Sequence, residues 1–164
     1  MEIRSIQESD IEKIALYELE ISKISFGIDA ITDIDFHKKK ISKAIPAEKD
    51  GMLVLCENNI IIGWLWMTNK INYLSGANYI NFKSFYIEEI ARGEKYTNLL
   101  LEKGIEFACE KKAKYIVGKV NINNVPMRLI YKKFGFTPTH LTMELKLEGN
   151  KICLLYTSPS PRDS

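Results

Sequence analysis

Two positively charged residues flank a short turn that leads into a helix-forming segment. Arg92 and Lys95 enclose Gly93-Glu94, and from Tyr96 onward apolar residues recur at helical spacing. A helix that begins directly after a turn exposes backbone N–H groups without partners, and its dipole adds about half a positive charge there. Phosphate or pyrophosphate is a plausible ligand for such an end. A glycine and a basic residue also serve turn geometry and solubility at many strand–helix junctions.

A tyrosine lies in a second segment, residues 123–136, about one helix and one strand further on. Asn124 and Pro126 favour the start of a helix, and Gly135 favours a left-handed cap at its end. Tyr131 lies on the apolar face of this predicted helix. A phenol with a pKa of about 10 can donate a proton to a departing thiolate, or the ring can simply fill the helix face.

Together the two segments resemble the GNAT superfamily of acyl-CoA-dependent N-acetyltransferases. In that family a strand ending in a branched apolar residue leads into an Arg/Gln-x-x-Gly-x-Gly/Ala turn, a helix and a strand. A further helix then ends in Tyr-x-x-x-Gly-Phe. The positions that match are Ile87 at the strand end, Arg92, Asn124 before the last helix, Tyr131 and Gly135-Phe136.

The resemblance implies an α/β (α+β) fold and an activity. We expect one N-acetyltransferase domain over residues 1–151, with a mixed, mostly antiparallel sheet of six or seven strands and helices on both faces. The implied reaction moves an acetyl group from acetyl-CoA, the co-substrate, to a primary amine of a small molecule or peptide. Tyr131 is then the acid that protonates the thiolate, and the Ile87 N–H faces the thioester oxygen. The positions implied to bind acetyl-CoA are Phe85, Tyr86, Ile87, Arg92, Gly93, Glu94, Lys95, Tyr96, Thr97 and Asn124.

Two positions of the turn depart from the family pattern. Lys95 stands where the family most often has its middle Gly, and Thr97 stands where it has Gly or Ala. The Lys95 ammonium can contact a phosphate, or the side chain can keep the backbone of the turn from approaching the pyrophosphate. Because residues 79–87 contain no carboxylate, Glu88 and Glu89 are the nearest bases, and we assign none. The alternative function is a non-catalytic acyl-CoA-binding or protein-interaction module of the same fold.

The remaining elements follow from hydrophobic periodicity and turn residues. The predicted strands are residues 1–6, 52–57, 60–67, 79–87, 114–120 and 141–147. The second and third of these strands form a hairpin around the turn Asn58-Asn59. The first predicted helix runs from a capping box of Ser9 and Glu12 to about Ile24, and the second runs from Asp35 to Ala44, where Pro46 stops it. Two further helices are predicted to begin at Tyr96 and at Asn124.

Several aromatic residues can be assigned to the core or the surface. Trp64 and Trp66 share one face of a strand and are expected in the core or in the wall of the acceptor cleft. His37 is followed by three lysines and is expected at the surface. In the family the first helical region lines the acceptor site, and Phe26, Phe36 and His37 lie in or near it.

Composition is that of a soluble globular protein. The 164 residues are 46% hydrophobic and 27% charged, with a net charge of +2, and the lysines form no basic stripe. No segment approaches the roughly 18 apolar residues of a membrane span, and the polar N-terminus is no signal peptide. We therefore expect a cytoplasmic monomer or homodimer with no nucleic-acid or membrane partner. Cys56, Cys109 and Cys153 share no metal or redox spacing, so no metal site is expected and the thiols should stay reduced.

Residues 152–164 break the pattern of the preceding chain. Their Ser- and Pro-rich sequence resembles translated adaptor or vector sequence, and otherwise has the composition of a disordered tail. We therefore leave them out of the reasoning about fold and function.

Overall fold

Five strands form one sheet in chain order in the computed structural model, which describes residues 1–147. The strands are β1 Glu2–Ser5, β2 Met52–Glu57, β3 Ile60–Ile71, β4 Asn78–Ile87 and β5 Tyr115–Gly118. The helices are α1 Ile11–Phe26, α2 Ile34–Glu48, α3 Glu94–Glu110 and α4 Val125–Lys133. β1 to β4 pair antiparallel, whereas β5 pairs parallel with β4. The predicted mixed, mostly antiparallel α/β fold is thereby confirmed.

The chain divides into two compact units, Met1–Asn124 and Val125–Ser164. The first unit holds the sheet and α1 to α3. The described part of the second unit holds α4, which ends at Lys133. Gly135, two residues later, adopts the predicted left-handed conformation with a φ of 89°. The expected tail, residues 152–164, and Cys153 lie outside the described residues.

The hairpin of β2 and β3 forms where the sequence predicts it. Asn58 and Asn59 adopt φ of 53° and 64°, which are the left-handed angles of a type I′ turn. β3 continues four residues beyond the predicted Met67, because residues 67–71 still pair with β4. Among residues 1–147, this extension leaves part of β3 without a paired strand on its β2 side.

Helices cover both faces of the sheet, as predicted. Trp64 and Trp66 have no exposed surface and belong to the cluster beneath α1 and α2. On the opposite face α3 approaches closely at Gly104, where a Cβ would lie 2.7 Å from Phe82 and 2.9 Å from Leu65. Of the two expected positions, core or acceptor-cleft wall, the structure places both tryptophans in the core.

The predicted strand at residues 141–147 is wrong. Residues 136–147 form neither helix nor strand, and Leu141 and Met143 are 81% and 87% exposed. β-propensity stabilises a strand only where a neighbouring strand and a covering layer are available. The described residues therefore contain a five-stranded sheet rather than one of six or seven strands.

Three predicted helix boundaries are also wrong. The first is the capping box of Ser9 and Glu12: the Asp10 carboxylate instead accepts the Gln7 N–H at 2.7 Å, and a 3-10 turn precedes α1. The second is the end of α2, which passes through Pro46 to Glu48. A proline in the last turn removes one backbone hydrogen bond, and the following turn still closes onto Ile45. The third is α3, which begins at Glu94 rather than Tyr96.

His37 is buried and not on the surface as predicted. Its side chain lies on the inward face of α2, and the residue is 2% exposed. The Nε2 atom lies 2.8 Å from the Ile31 carbonyl, so this nitrogen donates. The Nδ1 atom is then the acceptor that lies 3.4 Å from Lys40 Nζ. The run of lysines after His37 concealed this burial, because only part of each helix turn faces solvent.

Candidate functional site

The C-terminal end of β4 has an open edge. β5 pairs with residues Tyr79–Phe82 only, so residues 83–87 have no strand beside them on that side in the described chain. The Glu88 N–H donates to Ile62 of β3 at 2.8 Å. Because backbone groups alternate along a strand, the Ile87 N–H and carbonyl face away from β3, toward the open edge. The sequence predicted this strand end but not the hydrogen bond that orients it.

Arg92 closes this open edge at one point. Its Nε donates to the Ile87 carbonyl at 2.9 Å, and its guanidinium lies 5.4 Å from the centre of the Tyr86 ring. Among residues 1–147 it forms no ion pair. Its terminal nitrogens therefore remain available to an anion beside the strand end.

The first turn of α3 follows directly. Gly93 is the N-cap and makes no side-chain capping bond, so the turn's backbone N–H groups have no side-chain acceptor from the cap. A Cβ added at Gly93 would meet nothing within 4 Å, which shows that the turn borders open space. Anion binding at this turn stays a prediction.

Neither residue that departs from the family pattern fills this space. Thr97 is 8% exposed and lies on the buried side of α3. Lys95 is exposed, and its ammonium lies 5.1 Å from the centre of the Tyr96 ring. Both side chains therefore leave the backbone of the turn accessible.

Glu57 and Tyr96 tie the start of α3 to the hairpin. The Tyr96 hydroxyl donates to Glu57 Oε2 at 3.0 Å. This hydrogen bond raises the pKa of Tyr96 above its usual value. Sequence reasoning missed Glu57, whose position at the end of β2 was the only available signal.

Glu88 is held by two residues of α1. Its Oε1 lies 2.6 Å from Lys13 Nζ and 2.9 Å from the Tyr17 hydroxyl. The bond from Lys13 lowers the pKa of Glu88, so this carboxylate is a poor base. Burial, followed by the bond to Glu88, raises the pKa of Tyr17. Sequence reasoning missed both α1 residues because they are distant from Glu88 in the chain. Tyr17, for example, is 71 positions away.

A second buried carboxylate, Glu18, was seen in the sequence only as an interruption of the apolar stripe of α1. It is 4% exposed, and its oxygens lie 3.0 Å from Lys40 Nζ and 3.1 Å from Trp64 Nε1. The ion pair and the indole bond explain how a charge is accommodated beneath α1 and α2.

The other predicted site residues lie in separate elements. Phe85 and Tyr86 are half-buried on β4, and Asn124 immediately precedes α4, where its N–H donates to Asn121 at 2.9 Å. Tyr131 lies in the second unit, where its ring is 4.8 Å from that of Phe136. Burial raises the pKa of Tyr131 to about 12, so its hydroxyl stays protonated at neutral pH.

The candidate site thus combines an open edge at the end of β4 with a helix start that has no side-chain cap. A family model described as acetyltransferase (GNAT) family matches residues 15–136, which extend across both units. The chain therefore belongs to the GNAT acetyltransferase family. None of the curated proteins compared with the chain matches it.

Solved structures share this fold. A putative acetyl transferase from Pyrococcus furiosus is 23% identical, with a TM-score of 0.70 over 88% of this chain and 99% of that chain. A GNAT family acetyltransferase from Staphylococcus aureus is also 23% identical, with a TM-score of 0.64 over 88% and 97%. A possible acetyltransferase from Clostridium difficile 630 is 19% identical, with a TM-score of 0.72 over 88% and 95%.

Two searches within the described residues bear on other site types. No helix there is long and apolar enough to cross a membrane. No group of three or more His, Cys, Asp or Glu side chains in that part of the chain could hold a metal ion.

Proposed function

We propose that this chain transfers an acetyl group from acetyl-CoA to a primary amine of a small molecule or peptide. The observation that carries the proposal is the open edge of β4 at Ile87 next to the uncapped first turn of α3. In an extended ligand, a phosphate at one end would match the turn of α3, and a carbonyl at the other end would match the open edge of β4.

The phosphate end is assigned to the first turn of α3. Backbone N–H groups of this turn, with the helix dipole, favour the pyrophosphate. Arg92 and Lys95 supply positive charge beside it. The burial of Thr97 supports this assignment, because its side chain does not occupy the approach to the turn.

The thioester end is assigned to Ile87. Its N–H faces the open edge, where it can donate to the thioester oxygen as charge develops on that atom. The pantetheine arm would lie along the same edge, beside Tyr86 and toward Asn124. The bond from Arg92 to the Ile87 carbonyl at 2.9 Å supports the role by fixing this peptide group.

The chemistry then needs one acid. The amine nitrogen attacks the thioester carbonyl carbon, a C–N bond forms and the C–S bond breaks. The thiolate of CoA takes a proton, which we assign to the Tyr131 hydroxyl because this residue matches the family motif. Burial raises the pKa of Tyr131 to about 12, so the phenol carries its proton at neutral pH and can act as a donor.

No protein carboxylate is assigned as the base. Glu88 is engaged by Lys13 at 2.6 Å, and this bond lowers its pKa. We therefore propose that the amine loses its proton to water. We further propose residues 1–151 as the acetyltransferase domain, and a cytoplasmic location, since the thiols of Cys56 and Cys109 are free.

The test is acetyl transfer by the full chain. Acetyl-CoA is incubated with a panel of amines that includes peptides with a free N-terminus, and free thiol and acetylated amine are measured together. Because protein thiols such as the exposed Cys109 react with thiol reagents, the same mixture without an amine supplies the background. Equal amounts of thiol and acetylated amine are expected. If CoA binds but no amine is acetylated, the chain is a non-catalytic acyl-CoA-binding module instead.

A further inference from the structure

A stretch of β3 has a free edge. The pairing of β2 with β3 ends at Met52 and Trp66, whereas β3 continues to Ile71 beside β4. In the described chain, the 3-10 turn Lys49–Gly51 lies against this stretch in place of a strand. Gly51 permits the contact, because a Cβ there would lie 2.3 Å from the Met67 carbonyl oxygen. The turn and the strand edge therefore form one wall of a depression.

A cavity of about 610 Å³ occupies this depression. The polar side chains that line it include Thr68, Lys70, Lys83, Lys111, Glu48 and Asp50. No lining residue comes from the turn at residues 87–97 that we assign to acetyl-CoA. The cavity is a feature separate from that site, although both use β4.

The acidic side chains of the cavity already have partners. Asp50 lies 2.7 Å from Lys111 Nζ, and Glu48 accepts the Trp66 indole N–H at 3.2 Å. Lys70 and Lys83, in contrast, take part in no ion pair among residues 1–147. The ammonium of Lys83 lies 3.9 Å from the centre of the Trp66 ring. The lining thus holds three lysines, Lys70, Lys83 and Lys111, against the two carboxylates of Glu48 and Asp50, so its net charge is positive.

Thr68 provides an independent sign of a missing ligand. Its hydroxyl oxygen is buried and has no hydrogen-bond partner in the described structure, and it is the only such side-chain atom there. Buried polar groups in native proteins are nearly always paired, because an unpaired one loses its hydration without compensation. Thr68 is also one of the residues that line the cavity.

We propose that this cavity binds a small oxyanion, a carboxylate or phosphate group, between Lys70 and Lys83. When the anion binds, the Thr68 side chain turns so that its enclosed hydroxyl can donate a hydrogen bond to the anion. The amides of Asn69 and Asn81 line the same space. A cation is disfavoured, because three lysines line the cavity against two carboxylates. The site does not depend on acetyl-CoA, so its test is independent of the proposed transferase activity.

The test is an NMR titration of the ¹⁵N-labelled full chain with inorganic phosphate and, separately, with succinate. Saturable shifts are expected at the amides of Thr68, Asn69 and Asn81 and at the Trp66 indole N–H. Lys83→Gln should weaken binding by about fivefold or more, as expected for one charge-assisted bond. Lys103→Gln is the matched control, since this exposed lysine of α3 pairs with Glu106 and its loss changes the net charge equally.

Thr68→Val separates ligand binding from folding. This variant keeps the side-chain shape, removes the unpaired hydroxyl, and should raise the melting temperature while weakening anion binding. Saturation in the phosphate titration identifies a phosphate as the ligand class, and saturation in the succinate titration identifies a carboxylate. The proposal is overturned if neither anion gives saturable shifts at these residues, if Lys83→Gln and Lys103→Gln weaken binding equally, or if Thr68→Val binds as the parent does.

Discussion

Replacing Lys40 with methionine tests how the buried charge of Glu18 is accommodated. The Glu18 side chain has two described partners, Lys40 Nζ at 3.0 Å and Trp64 Nε1 at 3.1 Å. Lys40→Met keeps the apolar stem but leaves a carboxylate that is 4% exposed with one neutral donor. Breaking a buried ion pair costs about 3–5 kcal/mol. Because the Lys40 side chain is 32% exposed, water offsets part of the loss, and we expect about 3 kcal/mol.

The measurement is the free energy of unfolding from urea denaturation at neutral pH. Lys38→Met is the control, because Lys38 lies 3.8 Å from Glu12, whose side chain is 82% exposed. That exposed pair should contribute less than about 1 kcal/mol. Adding Glu18→Gln to Lys40→Met should restore stability, because the neutral amide can still accept the indole N–H of Trp64.

Two results would refute this reasoning. The first is a Lys40→Met variant that is destabilised no more than Lys38→Met, since Glu18 would then not need its ammonium partner. The second is a double variant less stable than Lys40→Met alone, because removing the unpaired charge must relieve the penalty if that penalty exists.

Three further changes probe the candidate site. Lys95→Ala should weaken CoA binding by about 1 kcal/mol, measured by calorimetry, if its ammonium contacts a phosphate; tighter binding would show that the lysine obstructs the turn. Tyr131→Phe should lower turnover about tenfold or more with CoA affinity nearly unchanged; full turnover in steady-state assays where chemistry limits the rate would exclude it as the acid. Lys13 lowers the pKa of Glu88, so the stability that Glu88 contributes is present above its unfolded-state pKa and is lost as pH falls through the folded-state pKa. The advantage of the parent over Glu88→Gln in urea unfolding should therefore shrink between about pH 5 and pH 2, and an advantage that grows on acidification would contradict this assignment.

Local sequence signals predicted the elements that carry the candidate site. Asn58-Asn59 forms the expected left-handed turn, and the aromatic and β-branched run before Ile87 forms β4 within one residue of its predicted start. These features depend on neighbours in the chain, so the sequence reveals them directly. The family motif additionally located Arg92, whereas α3 begins at Glu94, two residues before its predicted start.

Features that depend on distant neighbours were not predictable in the same way. The burial of His37 and the pairing of Glu18 depend on how α1 and α2 turn toward the sheet, which their sequences do not specify. Pro46 is tolerated inside α2 because the lost bond falls in the last turn. The alternating apolar residues at 141–147 have the pattern of a strand, yet in the described chain they have no strand partner.

Calorimetric titration of CoA into the full chain tests most directly whether the first turn of α3 and the open edge of β4 form the acyl-donor site. We predict saturable binding with one CoA per chain, together with a rise in melting temperature as CoA is added. No heat and no thermal shift at millimolar CoA, with a folded sample, would contradict this assignment.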